Sequence, residues 1–345
     1  MTTTMPELAA AGSVRDPLVT LRSVAKQYRV RAGSNPLSRS RALRAVDNVS
    51  LAIDEGETFG LVGESGSGKS TLGRLVVRLT TPTAGHITFA GRDITTLGGA
   101  PLRQLRRDMQ VVFQDPAGSL NPRLRVGDVI GEPLRVFDGL RGAQLEDRVA
   151  DLLRTVGLDP ARAHDRPGAL SGGQRQRVGI ARAIAGSPRL ILADEAVSAL
   201  DVSVQAQITN LLVELRERLG LTYLFIAHGL PLVRQVAHRV GVMYLGRLVE
   251  TAPVDELFDS PQHPYTQALL AASPAPDPSA HRARTVLQGE PPTPLALPSG
   301  CRFRTRCPVA RAICAAEAPP LVAVSPGHTV ECHFAGGEQL SDTAR

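Results

Sequence analysis

Residues 58–71, with the sequence TFGLVGESGSGKST, decide the fold class of this chain. Strand-forming residues, Thr58–Val62, lead into a glycine-rich loop that follows the pattern G-x-x-x-x-G-K-[ST] in full. Glycines let the backbone curl, so that successive N–H groups point at phosphate oxygens. Apolar residues then recur at i, i+3, i+4 and i+7, which predicts a helix whose positive end also faces the phosphates. These residues are Leu72, Leu75, Val76 and Leu79. Strand, loop and helix in this order are typical of an α/β P-loop fold with a largely parallel sheet.

The P-loop is predicted to bind ATP and Mg²⁺. The residues expected to contact the nucleotide are Gly63, Glu64, Ser65, Gly66, Ser67, Gly68, Lys69, Ser70 and Thr71. Lys69 would pair with the β- and γ-phosphates, and the Ser70 hydroxyl would coordinate Mg²⁺. Of 39 basic residues only Lys26 and Lys69 are lysine. Because a lysine provides a compact point charge, its retention inside the glycine loop indicates that the loop needs that charge.

Three further apolar runs end in polar residues suited to phosphate chemistry. Gln114 follows Val111–Phe113, Asp194 and Glu195 follow Leu190–Ala193, and His228 follows Tyr223–Ala227. Each of these residues alone could also be a structural polar group at a strand end. Because ligands of open parallel sheets bind beyond the carboxyl ends of the strands, we expect all of them to form one site with the P-loop.

The polar residues at these strand ends predict a hydrolytic site. Asp194 would hold the hydration shell of Mg²⁺, and Glu195 would orient and deprotonate the attacking water. His228 would hydrogen-bond the γ-phosphate. Gln114 would reach both the metal and the water, and would report the nucleotide state to a helical insert that begins beside it.

A second glycine turn, Leu170-Ser171-Gly172-Gly173-Gln174, opens another predicted helix. Its hydroxyl and N–H groups on the positive helix end form a second anion site. One nucleotide does not need two such sites from one chain. We therefore predict a head-to-tail dimer, in which the LSGGQ turn of each chain closes over the P-loop of its partner.

In this order, the motifs resemble those of an ABC-type nucleotide-binding domain over about residues 18–250. The resemblance implies an α/β P-loop ATPase with an antiparallel β subdomain, a helical insert at about residues 116–170 and a C-terminal arm that contains cysteines. It also implies that Tyr28 stacks on adenine and that Asp201 belongs to a loop crossing the dimer interface. We expect the domain to span residues 18–255 and the C-terminal region residues 256–335, with flexible termini at 1–17 and 336–345.

Further motifs resemble the oligopeptide and dipeptide importers. These are Ser119–Arg123, His263-Pro264-Tyr265-Thr266 and the C-terminal region from Gly289. Residues Lys69–Arg74 and the basic stretch Arg29–Arg44 look more like the F-type than the D-type ATPase subunit. The resemblance implies a second ATPase subunit (D-type, or another copy of this chain), two permease subunits and, indirectly, an extracytoplasmic solute-binding protein. Importers of nickel chelates or glutathione, and ABC ATPases that act on nucleic acid or ribosomes, are the alternatives.

Composition is consistent with a protein that is peripheral to a membrane. No run approaches the roughly 18–20 apolar residues of a membrane-spanning helix, and residues 1–17 lack the features of a secretory signal. We therefore expect the chain on the cytoplasmic face of the cell membrane, bound to permeases. A net charge of +6 would also suit nucleic acid or an anionic surface, but no nucleic-acid partner is predicted.

All four cysteines lie in a short C-terminal stretch, at Cys301, Cys307, Cys314 and Cys332. Four thiolates can hold an iron–sulfur cluster or zinc, and unoccupied thiols are the third possibility. The resemblance implies a 4Fe–4S cluster. Arg302, Arg304 and Arg306 would then offset its negative charge.

Overall fold

The computed structural model describes residues 16–31, 40–227, 229–272 and 292–336. Most of the predicted flexible termini, residues 1–15 and 337–345, lies outside this part of the chain. The strands are β1 (Val19–Arg31), β2 (Ser40–Ile53), β3 (Thr58–Val62), β4 (Ala84–Phe89), β5 (Arg92–Asp93), β6 (Met109–Val112), β7 (Leu190–Asp194), β8 (Thr222–Ile226), β9 (Arg239–Tyr244), β10 (Arg247–Pro253), β11 (Leu321–Ser325) and β12 (His328–Glu331). The helices are α1 (Lys69–Val76), α2 (Gly99–Asp108), α3 (Pro116–Ser119), α4 (Val126–Phe137), α5 (Gly142–Thr155), α6 (Gly172–Ile184), α7 (Val202–Leu219), α8 (Leu230–Val236), α9 (Val254–Asp259), α10 (Pro264–Ala272) and α11 (Ala312–Ala316).

The P-loop joins β3 to α1 within an eight-stranded sheet of order β11-β12-β10-β9-β3-β8-β7-β6. Strands β9, β3, β8, β7 and β6 run parallel, whereas β10, β12 and β11 are antiparallel to their neighbours. Every residue of β3, β7 and β8 is buried. Burial on both faces explains why these strands are continuous apolar runs rather than alternating ones. The predicted α/β fold with a largely parallel sheet is confirmed.

Strand order explains why residues distant in sequence meet at one edge. Since β3, β8, β7 and β6 are consecutive neighbours and parallel, their carboxyl ends lie side by side. The predicted helix after the P-loop is present and spans Lys69–Val76. Leu79, which the periodicity placed on its apolar face, lies beyond the helix and is 47% exposed.

A second, antiparallel sheet of order β2-β1-β4-β5 covers one face of the central sheet. Its apolar residues, Val19 among them, form one core with Phe59 of β3 and Leu72 of α1. The opposite face carries a second core, which includes residues of α4, α5 and α6. Helices α3, α4 and α5 lie within the segment predicted as a helical insert, and each packs against α6.

The C-terminal region extends the central sheet. Strand β12 pairs antiparallel with β10, with Glu250 opposite Val330, and β11 completes the hairpin. Phe303, which precedes this hairpin in sequence, is buried in the same core as the insert helices. Residues 292–336 of the predicted C-terminal arm pack against the ATPase fold. Within the described residues, no helix is long and apolar enough to cross a membrane.

Candidate nucleotide site

The P-loop packs between β9 and β2, and glycine is required at both contacts. Gly63 has φ +149°, and a Cβ there would lie 2.1 Å from the carbonyl oxygen of Met243. Gly68 has φ +107°, and a Cβ there would lie 2.2 Å from the carbonyl oxygen of Ala45. Any larger residue would therefore have to displace backbone atoms of a neighbouring strand.

Lys69 lies inside the loop and is 4% exposed. Its Nζ donates hydrogen bonds to the carbonyl oxygens of Gly63 at 2.7 Å and Glu64 at 3.0 Å. Burial lowers the pKa of Lys69, and the negative charges of Glu195, Asp194 and Glu64 act in the opposite direction. The ammonium is thus held against carbonyl oxygens of the loop. Lys69 is also the first residue of α1, so the phosphates of a nucleotide would meet the helix N-terminus at the same place.

Ser67 and Ser70 offer hydroxyl groups that fit the predicted ligands. The buried Ser67 Oγ has no hydrogen-bond partner within the described structure, as expected of a group that meets a ligand oxygen. Ser70 Oγ donates a hydrogen bond of 2.8 Å to Oδ1 of Asp194. A hydroxyl beside a carboxylate is an oxygen-only donor set of the kind that Mg²⁺ prefers. Burial raises the pKa of Asp194, and the hydrogen bond from Ser70 opposes this.

Glu195 follows β7 in a left-handed backbone conformation, with φ 52°. Its N–H donates to the carbonyl oxygen of Ile226 at 3.1 Å, and its own carbonyl oxygen accepts from Ser198 Oγ at 3.0 Å. These bonds fix Glu195 between the ends of β7 and β8. The residue is 8% exposed, so its carboxylate lies in a largely desolvated environment beside Asp194 and Lys69.

Other predicted nucleotide ligands lie in different surroundings. Gln114 is exposed, two residues after β6 ends. Tyr28 on β1 is 37% exposed, whereas the other tyrosines are buried, and the Nζ of Lys26 lies 5.1 Å from the centre of its ring. The Tyr28 side chain is therefore partly accessible to solvent. His228 lies outside the described residues, so its place in the site stays a prediction.

The LSGGQ turn forms the N-terminal cap of α6. Ser171 and Gln174 cap each other: the Gln174 N–H donates to Ser171 Oγ at 3.3 Å, and the Ser171 N–H donates to Gln174 Oε1 at 2.9 Å. A Cβ on Gly173 would lie 2.7 Å from Cγ1 of Val204 in α7, so the turn packs closely on that helix. Asp201 is exposed at the N-cap position of α7.

Two residues that touch the P-loop were missed by sequence reasoning. The Glu64 N–H donates to Oη of Tyr265 at 2.8 Å, and the guanidinium of Arg306 forms two hydrogen bonds with the Glu64 carboxylate. In the sequence, Tyr265 stands out only as part of a family motif, and Arg306 only as a counter-charge for a metal cluster. Their sequence positions, more than 200 residues from the loop, carry no signal of this contact.

The cysteines are close together but are not arranged as a metal site. The Cys301 N–H donates to the carbonyl oxygen of Cys314 at 2.8 Å. Burial raises the pKa of Cys307 to about 11, and the charges of the other cysteines add to this effect. Across the described residues, no group of three or more His, Cys, Asp or Glu side chains is placed to hold a metal ion. The side chains as placed therefore do not form a metal site, and the iron–sulfur prediction is not confirmed.

The three arginines near the cysteines were predicted to offset the charge of a cluster, and the structure gives them other partners. Arg302 pairs with Asp47, and Arg304 donates to the carbonyl oxygen of Ser299. Arg306 pairs with Glu64. Asp47 and Glu64 belong to the ATPase fold, so Arg302 and Arg306 attach the C-terminal region to that fold.

The fold and this site define an ATPase of the ABC transporter class. The family model "ABC transporter" matches residues 46–198, and the model "Oligopeptide/dipeptide transporter, C-terminal region" matches residues 249–314. Among solved structures, the dimeric ATP-binding cassette MJ0796 bound to ADP and Pi is similar. It has a TM-score of 0.60 and 32% identity, with 68% of this chain and 98% of that chain covered.

Curated relatives place the chain more closely. It is 52% identical to "Probable peptide ABC transporter ATP-binding protein y4tS" of Sinorhizobium fredii, over 92% of this chain and 90% of that protein. It is 48% identical to "Oligopeptide transport ATP-binding protein AppF" of Bacillus subtilis, over 93% and 98%. The chain belongs to the ATP-binding subunits of the oligopeptide/dipeptide ABC transporter family.

Proposed function

We propose that this subunit hydrolyses ATP to drive the import of peptides through two permease subunits, from the cytoplasmic face of the membrane. The observation that carries the proposal is the C-terminal region, residues 249–314, which matches the oligopeptide/dipeptide transporter model. The names of its relatives support peptides over nickel chelates or glutathione as cargo. A nucleic-acid or ribosome function has no comparable support.

In the proposed reaction, the P-loop and Lys69 bind the phosphates of ATP. Ser70 and Asp194 would hold Mg²⁺, which would neutralise charge on those phosphates. Glu195 accepts a proton from the attacking water, while Tyr28 stacks on adenine. His228 and Gln114 complete the γ-phosphate end of the site. The LSGGQ turn and Asp201 of a second ATPase subunit close over the nucleotide. This dimer is supported by the dimeric form of the similar cassette.

Coupling to the permeases is proposed to run through the insert that begins beside Gln114. Phe113 and Leu124 are 41% and 39% exposed at this end of the insert. Exposed apolar side chains next to a nucleotide-sensing residue suit a surface that receives helices of a membrane subunit.

Reconstitution of the transporter would test the proposed function. The tagged chain, purified with the membrane subunits that accompany it, is placed in vesicles with the solute-binding protein and ATP on the cytoplasmic face. We expect uptake of a labelled peptide, and no uptake with the Glu195→Gln subunit. Uptake of glutathione or a nickel chelate, without peptide, would overturn the proposed cargo.

A 4Fe–4S cluster on Cys301, Cys307, Cys314 and Cys332 is a separate proposal. Its support is that all four thiols lie in one region, where burial and then the charges of neighbouring cysteines raise the pKa of Cys301, Cys307 and Cys332. Rotation about one side-chain bond re-aims each thiol. Anaerobically purified protein should contain iron and acid-labile sulfide, and Cys307→Ser with Cys314→Ser should remove both. Zinc alone, or neither metal, would contradict the cluster.

A further inference from the structure

The C-terminal region contacts the P-loop through a bidentate ion pair between Arg306 and Glu64. Nη1 of Arg306 lies 2.8 Å from Oε2 of Glu64, and Nη2 lies 2.9 Å from Oε1. This is the parallel arrangement in which arginine binds carboxylates most specifically. The side chain of Arg306 is 6% exposed and that of Glu64 is 30% exposed, so the pair is shielded from water on the arginine side.

The arginine is held in place by a buried aromatic cluster. Phe303 is 1% exposed, and its ring centre lies 5.3 Å from that of Tyr244 and 5.4 Å from that of Tyr265. The Arg306 N–H donates to the carbonyl oxygen of Phe303 at 2.9 Å. A single turn of the chain therefore contains both Phe303, which is buried in the core, and Arg306, whose guanidinium binds Glu64 of the P-loop.

Tyr265 makes the second contact from the same cluster. Its ring is fully buried, and its hydroxyl accepts the hydrogen bond from the Glu64 N–H. Backbone and side chain of Glu64 are thus both held by residues far beyond the P-loop. The carbonyl oxygen of Glu64 accepts in turn from Lys69, so the position of Glu64 bears directly on the lysine.

The Glu64 carboxylate has an electrostatic consequence for nucleotide binding. Its negative charge acts on Lys69, the residue predicted to bind the β- and γ-phosphates. An unpaired carboxylate there would repel a triphosphate and attract the ammonium away from it. Arg306 neutralises that charge and fixes the direction of the carboxylate.

We propose that Arg306 and Tyr265 are positioning residues of the ATP site, so that the C-terminal region is a working part of the nucleotide-binding machinery. The inference rests on the proposed role of the P-loop in binding the phosphates of ATP. It does not depend on which solute the transporter carries.

A double-mutant cycle on the purified full chain tests this inference. Arg306→Ala, Glu64→Gln and the double variant are compared by ATP affinity. Arg306→Ala should weaken ATP binding roughly tenfold, as expected when a charge-assisted hydrogen-bonded pair is broken. In the Glu64→Gln background, where no charge is left to neutralise, Arg306→Ala should change the affinity less than threefold. Arg306→Lys should bind ATP more tightly than Arg306→Ala but less tightly than the original chain, because lysine retains the positive charge but not the bidentate geometry of arginine.

Arg304→Ala is the matched control. Arg304 lies on the same turn but bonds to Ser299, so its removal should leave ATP affinity unchanged. Thermal unfolding of each variant separates loop positioning from loss of fold. Equal effects of Arg306→Ala with and without Glu64→Gln would overturn the proposal, as would unchanged ATP affinity in a folded Arg306→Ala chain.

Tyr265→Phe, which removes only the hydroxyl, should also weaken ATP binding. Failure of peptide uptake in vesicles would leave this result unaffected, so the two proposals can fail separately.

Discussion

At the scale of single residues, the site depends on conformations that are costly in isolation. Glu195 has φ 52° without being glycine, a backbone state that costs about 1–3 kcal/mol. The bonds of its N–H to Ile226 and of its carbonyl to Ser198 hold it there. The place of Glu195 beside Asp194 and Lys69 supports the proposed role of this carboxylate.

The first prediction concerns Glu195. Glutamine has nearly the same shape but cannot accept a proton, so Glu195→Gln should lower ATP turnover by roughly 10²–10⁴-fold. ATP binding should persist, because the P-loop contacts are unchanged. Phosphate release at saturating ATP measures turnover, and equilibrium binding measures affinity.

Glu217→Gln is the control for this prediction. Glu217 is a glutamate with a side chain that is 66% exposed, paired with the neighbouring Arg216, and surface pairs of this kind contribute little. Its variant should turn over ATP at the original rate. Turnover within about threefold of the original in Glu195→Gln would show that another group activates the water.

At the scale of elements, the N-terminus of α10 is capped by the side chain of His263, a titratable residue. Nδ1 of His263 accepts the N–H of Tyr265 at 3.0 Å, and the His263 N–H donates to Glu250 Oε2 at 2.9 Å. Burial lowers the pKa of His263 to about 4, although the charge of Glu250 acts in the opposite direction. A protonated ring would have no lone pair to accept from Tyr265, so the cap requires neutral histidine.

The second prediction follows from this lowered pKa. The unfolded chain binds a proton near pH 6.5, whereas folded His263 binds it only near pH 4. Stability from this group is therefore complete above pH 6.5 and is lost as the pH falls towards 4. At 1.36 kcal/mol per pKa unit, the loss is about 3 kcal/mol. Urea unfolding at a series of pH values measures it.

His263→Asn tests the assignment, because asparagine caps helices well and does not titrate in this range. The variant should lose less stability between pH 6.5 and 4 than the original chain. His164→Asn, which changes a histidine exposed on the surface, is the matched control. An unchanged pH dependence in His263→Asn would assign the acid sensitivity to other groups.

At the scale of the whole molecule, the third prediction concerns shared sites. In a head-to-tail dimer, the P-loop of one chain works with the LSGGQ turn of the other. Lys69→Ala and Ser171→Arg chains should each be nearly inactive alone. When they are mixed, dimers form in which one site has an intact P-loop and an intact turn, so that ATP hydrolysis returns.

A mixture of Lys69→Ala and Ser70→Ala chains is the matched control. Both changes damage the P-loop, so every dimer in this mixture carries two damaged loops, and no activity should return. Recovery in both mixtures, or in neither when dimers are seen to exchange, would contradict the shared site. Phosphate release against mixing ratio gives the measurement.

The local chemistry of this protein follows directly from its amino-acid sequence. Thr58–Val62 and the glycine loop predict strand, phosphate cradle and helix because backbone freedom and apolar spacing are local properties. The same is true of Asp194 and Glu195 at a strand end. Ligand sites of open parallel sheets lie at the carboxyl ends of the strands, so the meeting of these ends follows from general topology.

The distant groups that support this chemistry are brought to the site by the packing of the elements. The left-handed backbone of Glu195 is imposed by a neighbouring strand, and a sequence pattern carries no trace of such strain. Arg306 and Tyr265 reach Glu64 from more than 200 residues away, because β10 and β12 place the C-terminal region beside the loop. Contacts between residues far apart in sequence depend on how the elements pack, and no local pattern specifies that packing.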